Sequence, residues 1–124
     1  MDAALKILAV DDNPSIRHSM HFIFAGPRYE VTDAPDGDDA LARLEANSGA
    51  YDVIIVDQKM PNLTGVEVVT ALRERGVQSR IIVLSAHITD EVRQTYEELG
   101  VQAIFEKPPD INQLRAAVDA LPSG

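Results

Sequence analysis

The stretch VIIVDQKMP, residues Val53 to Pro61, decides how this chain folds. It opens with four consecutive β-branched apolar residues, a run typical of a strand that is buried on both faces. The run ends on a carboxylate, Asp57, and Met60-Pro61 follows soon after, so the chain has to turn there. The stretch therefore predicts an inner strand of a parallel sheet, with an acid at its carboxyl end.

Composition predicts an ordinary globular protein. The chain has 124 residues, 45% hydrophobic and 25% charged, and no cysteine, which excludes disulfides and thiolate metal sites. Because the sequence shows neither a secretory signal nor a run long enough to span a bilayer, we expect a cytoplasmic protein without membrane contact. The formal net charge of −9 disfavours direct nucleic-acid binding and favours cations or basic partners.

Strand-like apolar runs alternate with helical patterns along the whole chain. The five predicted strands are residues 5–10, 29–32, 53–56, 80–84 and 102–106. Asn13-Pro14 opens the first predicted helix, and Thr64 with Glu67 forms a capping box before the third. The last helix carries Ile111, Leu114, Val118 and Leu121 on one predicted apolar face. This alternation predicts an α/β fold, an open doubly wound parallel sheet with helices on both faces, as one domain over residues 1–124 without an output domain.

Polar side chains end four of the predicted strands, where ligands of such sheets bind. Asp11 and Asp12 follow the first strand, Asp57 the third, Ser85 the fourth and Lys107 the fifth. Three neighbouring carboxylates repel one another, and a hard cation such as Mg²⁺, or Mn²⁺, relieves that repulsion. A metal ion and an ammonium beside a nucleophilic carboxylate can stabilise a transferring phosphoryl group. The pattern indicates an aspartyl-phosphate site, although each residue alone could be a turn or cap residue.

With these residues in place, the chain resembles the receiver domain of bacterial two-component response regulators over essentially its whole length. The motifs that carry the resemblance are VDDN, VDQKMPNLTGVE, LSA and EKP, one after each of four strands. The resemblance implies a (βα)5 flavodoxin-like fold with strand order 2-1-3-4-5.

The resemblance also implies roles for the acids. Asp57 would be the phosphoacceptor, taking a phosphoryl group from a phosphohistidine of a histidine kinase or histidine phosphotransfer protein. Asp12, Asp57 and the backbone carbonyl of Lys59 would bind Mg²⁺ directly, and Asp11 would hold the ion through water.

Further roles follow for the other motifs. Ser85 and Lys107 would each meet a phosphoryl oxygen, and the Lys107–Pro108 peptide bond would be cis. Gly65 would let the loop after Asp57 turn into the third helix.

Two features depart from the family's usual pattern. Ile104 stands where a tyrosine or phenylalanine is usual, and Phe105 should point to the opposite face of its strand. A switch by aromatic side-chain rotation is therefore not expected. Lys59 and His87 flank the expected route of attacking water, so both could modulate the lifetime of a phosphoryl group.

The expected outputs are contacts with other proteins. A downstream protein target and a phosphorylation-dependent homodimer are the partners we consider, and we expect no enzyme activity beyond the domain's own phosphorylation and dephosphorylation. A phosphatase with an aspartate nucleophile would need an acid where Lys59 stands. The remaining alternative is a receiver-like docking module that acts without phosphorylation, and Ile104 is the feature in its favour.

Overall fold

The computed structural model of the protein describes residues 4–46 and 51–120. Strands and helices alternate through these residues, which confirms the α/β prediction. The elements are β1 (Leu5–Val10), α1 (Pro14–Ile23), β2 (Tyr29–Ala34), α2 (Gly37–Ala46), β3 (Val53–Val56), α3 (Gly65–Glu74), β4 (Arg80–Ser85), α4 (Asp90–Glu98), β5 (Ala103–Glu106) and α5 (Ile111–Asp119).

The five strands form one parallel sheet in the order β2-β1-β3-β4-β5. This is the flavodoxin-like order that the resemblance implied. Strand β3 lies at the centre, and all four of its residues are buried. Every strand therefore delivers its carboxyl end to the same edge of the sheet, with β1, β3, β4 and β5 side by side.

Apolar side chains cover both faces of the sheet because alternate strand residues point to opposite sides. On one face, Ile54 and Val56 pack with Leu72 of α3 and Tyr96 of α4. On the other face, Ile55 belongs to a second buried cluster; its helical members include Met20 and Ile23 of α1 and Leu114 and Val118 of α5. The sheet thus lies between two layers of helices, and a ligand can reach it at the ends of its strands.

Side-chain caps fix where several helices begin. The Asn13 side chain accepts a hydrogen bond from the Ser15 amide, which starts α1 directly after the first pair of acids. At α3 the predicted capping box is confirmed: Thr64 Oγ1 accepts from the Glu67 amide at 3.2 Å, and Glu67 Oε1 accepts from the Thr64 amide at 2.9 Å. These caps set the lengths of the loops that carry the site.

Arginines close the opposite edge of the sheet. Arg73 donates to the backbone carbonyls of Leu99 and Gly100 after α4. Arg115 donates to the Ile23 carbonyl at the end of α1. Cations are favourable at the carboxyl ends of helices, where the last carbonyl groups lack partners within the helix.

Some sequence-based boundaries and faces need correction. Strands β2 and β4 run on to Ala34 and Ser85, because each still pairs with a neighbouring strand there. The prediction that Ile111 lies on the buried apolar face of α5 was wrong. Ile111 is 48% exposed because it is the first residue of the helix. Leu121 lies outside the described residues. Among the residues described, none of the helices has the length and apolar character needed to cross a membrane.

Candidate functional site

The carboxyl edge of the sheet brings together the side chains expected there. Asp57 directly follows β3, and its amide donates to the Val10 carbonyl at 3.0 Å. Asp11 directly follows β1, and its amide donates to the Ala34 carbonyl at 3.1 Å. The side chains of Asp57 and Asp11 are buried, whereas Asp12 is exposed. Backbone pairing therefore places two carboxylates beside each other, out of bulk water.

The Asp57 carboxylate is held on both oxygens. Ser85 Oγ donates to Asp57 Oδ1 at 2.8 Å, and Lys107 Nζ donates to Asp57 Oδ2 at 3.3 Å. The Lys59 amide lies 3.4 Å from Oδ1, a long contact. Strands β4 and β5 thus supply a hydroxyl and an ammonium directly to the carboxylate at the end of β3.

Lys107 bridges the two buried acids. Its Nζ lies 2.7 Å from Asp11 Oδ2, closer than to Asp57. The Lys107 amide donates to the Ser85 carbonyl at 2.9 Å, which fixes the start of the side chain beside β4. The following Lys107–Pro108 peptide bond is cis, as the resemblance implied.

Burial and pairing perturb the ionisation of this group. Burial raises the pKa of Asp11, and the nearby charge of Asp57 raises it further, while hydrogen bonds from Lys107 and the Asn13 amide offset part of the effect. Burial lowers the pKa of Lys107, but its hydrogen bond to Asp11 and the charges of Asp11 and Asp57 outweigh burial, so the net shift is upward. The lysine therefore stays an ammonium at neutral pH.

The acids at this edge fit a hard divalent cation. Asp11, Asp12 and Asp57 each offer a carboxylate oxygen, and these three atoms lie within 4.8 Å of one another. An all-oxygen set with two carboxylates buried matches the preference of Mg²⁺ or Mn²⁺. Lys59 lies in the loop directly after Asp57, so its backbone carbonyl is in the chain segment that could complete the set.

The loop after Asp57 is tied down by a contact that sequence reasoning missed. The Gln58 carbonyl accepts from the Gly65 amide at 2.9 Å, and Gln58 Oε1 accepts from the Val66 amide at 3.0 Å. The Tyr96 hydroxyl of α4 donates to the same Oε1. A glutamine next to the candidate phosphoacceptor was a visible signal, but spacing alone could not pair it with a tyrosine 38 residues away.

Gly65 is required by close approach. A Cβ atom at this position would lie 2.6 Å from the Asp57 carbonyl oxygen and would also collide with the Tyr96 hydroxyl. Any larger residue would push the loop away from the acids.

The residues expected to modulate the site have different surroundings. Lys59 and His87 are exposed, and their influence on a phosphoryl group stays a prediction. Ile104 is half-buried against the cluster that contains Tyr96, while Phe105 packs against the cluster on the other face. The predicted opposite orientation of these two neighbours is confirmed.

Comparison with known proteins identifies the family. The sequence-family model described as response regulator receiver domain matches residues 7–119. The chain therefore belongs to this family of two-component signalling domains. Chemotaxis protein CheY4 of Vibrio cholerae is a similar solved structure, with 34% identity, a TM-score of 0.83, and coverage of 94% of this chain and 97% of CheY4. Sporulation initiation phosphotransferase F of Bacillus subtilis is 31% identical over 113 residues, covering 91% of this chain and 90% of that protein.

Other relatives are longer than this chain. The transcriptional regulatory protein CiaR of Streptococcus pneumoniae is 31% identical over 117 residues, covering 94% of this chain and 51% of CiaR. The chain thus spans about half the length of that relative.

Proposed function

We propose that this domain accepts a phosphoryl group on Asp57 in a two-component or phosphorelay pathway. The observation that carries the proposal is the buried Asp57 carboxylate, held by Ser85 and Lys107 beside two further acids. An inert turn aspartate would not need a hydroxyl, an ammonium and two neighbouring carboxylates from three other strands. Membership of the receiver family supports the same role.

The proposed reaction is a transfer between two side chains. A carboxylate oxygen of Asp57 forms a bond to phosphorus while the phosphorus–nitrogen bond of a phosphohistidine breaks, and the electron pair of that bond stays on the imidazole. The donor is a histidine kinase or a histidine phosphotransfer protein. The product is an acyl phosphate, which water later cleaves, so the domain acts on itself and turns over no external substrate apart from its donor.

The surrounding side chains have separate tasks in this proposal. The Lys107 ammonium stabilises negative charge that develops on the phosphoryl oxygens, and the Ser85 hydroxyl donates to one of them. Asp11, Asp12, Asp57 and the Lys59 carbonyl would hold Mg²⁺ or Mn²⁺. Bound there, the ion would neutralise the carboxylates and the charge of the incoming group.

The output is proposed to be a change in protein contacts. Relatives named as a phosphotransferase, a chemotaxis protein and a transcriptional regulatory protein support signalling through partners, either a downstream target or a second copy of the domain. A docking module that is never phosphorylated is the second candidate, and Ile104 in place of the usual aromatic is the observation that favours it.

Intact-mass spectrometry tests the proposed function. The chain is incubated with Mg²⁺ and acetyl phosphate, or with phosphoramidate, whose phosphorus–nitrogen bond resembles that of phosphohistidine. We expect a gain of about 80 Da for one phosphoryl group, absent after Asp57→Asn and without Mg²⁺.

The matched control is Asp52→Asn. Asp52 precedes the same strand at its opposite end, where its carboxylate accepts from the Lys6 amide at 2.9 Å. This variant should gain the mass normally. If the unaltered chain gains no mass from either donor or from a phosphorylated histidine kinase, the docking module becomes the better description.

A further inference from the structure

Helix α4 is joined to the loop after Asp57 by a partly buried hydrogen bond. Tyr96 is fully buried, yet its hydroxyl reaches the side-chain oxygen of Gln58, the residue directly after Asp57. A buried tyrosine hydroxyl has to find a partner, and this one finds it in the loop rather than on its own helix. The contact joins α4 to the loop between β3 and α3.

The surroundings leave the tyrosine little freedom. The same Gln58 oxygen also accepts from the Val66 amide, so the glutamine is held from α3 as well as from α4. The space for the hydroxyl exists because residue 65 has no side chain. Close packing of this kind converts a shift of the loop into a shift of the helix, since packed interiors deform little.

Charge at Asp57 also reaches this hydroxyl. Burial raises the pKa of Tyr96, and the negative charge of Asp57 raises it further. The tyrosine therefore stays a neutral hydrogen-bond donor, and its bond to Gln58 lies within the electric field of the site. A phosphoryl group would increase the negative charge at this position.

At position 104, strand β5 offers no such polar connection. Ile104 packs against the cluster that contains Tyr96 and has no side-chain atom that can hydrogen-bond. Tyr96, which belongs to α4 and not to β5, therefore provides a polar link between the site and α4 through its hydrogen bond to Gln58.

We propose that Tyr96 is a positioning residue that holds the loop after Asp57 through Gln58 and passes the phosphorylation state of Asp57 to α4. The inference rests on the proposed function. Phosphorylation draws the Ser85 hydroxyl and the loop towards the new oxygens, the Gln58–Tyr96 bond is pulled or broken, and α4 changes its packing. The exposed side chains of α4 then present a different surface to a partner.

Amide resonances of α4 measure this transmission. The full chain is labelled with ¹⁵N, and the shifts of residues 90–98 are recorded before and after phosphorylation with acetyl phosphate and Mg²⁺. Tyr96→Phe keeps the ring and its packing but lacks the hydroxyl. We expect the phosphorylation-induced shifts in α4 to fall to roughly half or less in this variant, as for loss of a coupling residue.

Two further variants separate transmission from a structural effect. Tyr29→Phe is the matched control, because it removes a tyrosine hydrogen bond of 2.7 Å to Asp119, at the β2 edge of the sheet; its α4 shifts should be retained. Gln58→Leu removes the acceptor, and combining it with Tyr96→Phe should weaken the shifts no further than either change alone.

The possible failures are distinct. Intact mass is measured on every sample to confirm equal phosphorylation. If the unaltered chain takes up no phosphoryl group from acetyl phosphate, from phosphoramidate or from a phosphorylated histidine kinase, the proposed function is refuted and the inferred signal has no source. If it is phosphorylated but α4 shifts equally with and without the Tyr96 hydroxyl, or if the two variants add, the inference alone is refuted.

Discussion

At the scale of single residues, Asp11 and Asp57 are 4% and 5% exposed, and the Lys107 ammonium lies between them. Each carboxylate is held by its own donors: Ser85 Oγ and Lys107 Nζ on Asp57, and Lys107 Nζ and the Asn13 amide on Asp11. The hydroxyl of Ser85 and the ammonium of Lys107 can therefore be tested separately.

Replacing Ser85 by alanine should slow phosphorylation of Asp57 by acetyl phosphate about tenfold or more. The reason is the lost donor to the phosphoryl oxygen during transfer, since a hydrogen bond to a charged group contributes about 1.5–3 kcal/mol. Time-resolved intact mass gives the rate. Ser79→Ala is the control, because Ser79 is a buried serine just before β4 whose hydroxyl donates to the Tyr51 carbonyl, away from the acids. Equal rates for both variants would contradict the role given to Ser85.

Replacing Lys107 by methionine should have opposite effects on metal binding and phosphorylation. Affinity for Mg²⁺, measured by calorimetry, should rise roughly threefold or more, because the ammonium no longer competes for the carboxylates. The phosphorylation rate should fall about 100-fold, as for loss of one oxyanion-stabilising donor.

The control for charge alone is Lys6→Met, which removes an exposed lysine of β1. It should change both quantities little. A Lys107→Met protein with weaker Mg²⁺ binding would show that the lysine supports the acids chiefly as a structural partner.

At the scale of elements, the sequence was most informative where a local rule applies. Four β-branched residues predicted β3, and the Thr64–Glu67 spacing predicted the start of α3, because both signals act within a few residues. The end of β2 was missed, since the pairing of Asp33 and Ala34 depends on β1 rather than on local propensity.

Removing the N-terminal cap of α3 should destabilise the fold without changing Asp11, Asp12 or Asp57. Thr64→Ala loses the Oγ1 acceptor of the Glu67 amide and should lower the free energy of unfolding by about 1 kcal/mol. Urea unfolding followed by circular dichroism measures this change. Thr70→Ala, inside the same helix, should be neutral or slightly stabilising, because alanine is the better helix former. If both variants lose stability equally, the cap is not the cause.

At the scale of the whole molecule, the sheet explains why the site residues could be predicted together. Parallel strands place their carboxyl ends on one edge, so Asp11, Asp57, Ser85 and Lys107 were expected to converge although they are far apart in sequence. No such rule places one helical side chain against a particular loop. The Gln58–Tyr96 bond and the arginine contacts at the opposite edge depend on tertiary packing, which spacing does not encode.

Binding of Mg²⁺ should stabilise the entire domain. At about 100 times the dissociation constant, a ligand that binds only the folded state adds ~2.7 kcal/mol to the free energy of unfolding. Thermal unfolding with and without Mg²⁺ measures the gain, and Asp12→Asn should lose most of it.

A net charge of −9 also attracts cations without any site, so a control acid is needed. Glu74→Gln removes an exposed acid at the far end of α3 and should keep the full Mg²⁺-dependent gain. Equal loss in both variants would mean that Mg²⁺ acts through overall charge.

The buried position of Tyr96 has an optical consequence. The chain contains no tryptophan and three tyrosines, so tyrosine dominates its near-ultraviolet absorption. Of these tyrosines, Tyr96 is the one whose hydroxyl bonds to the residue after Asp57. A phenol absorbs at longer wavelength when it donates a hydrogen bond. Making or breaking the contact with Gln58 therefore shifts the near-ultraviolet absorption of Tyr96. The absorption of Tyr96 can therefore be followed, without an added label, as a signal from the loop next to Asp57.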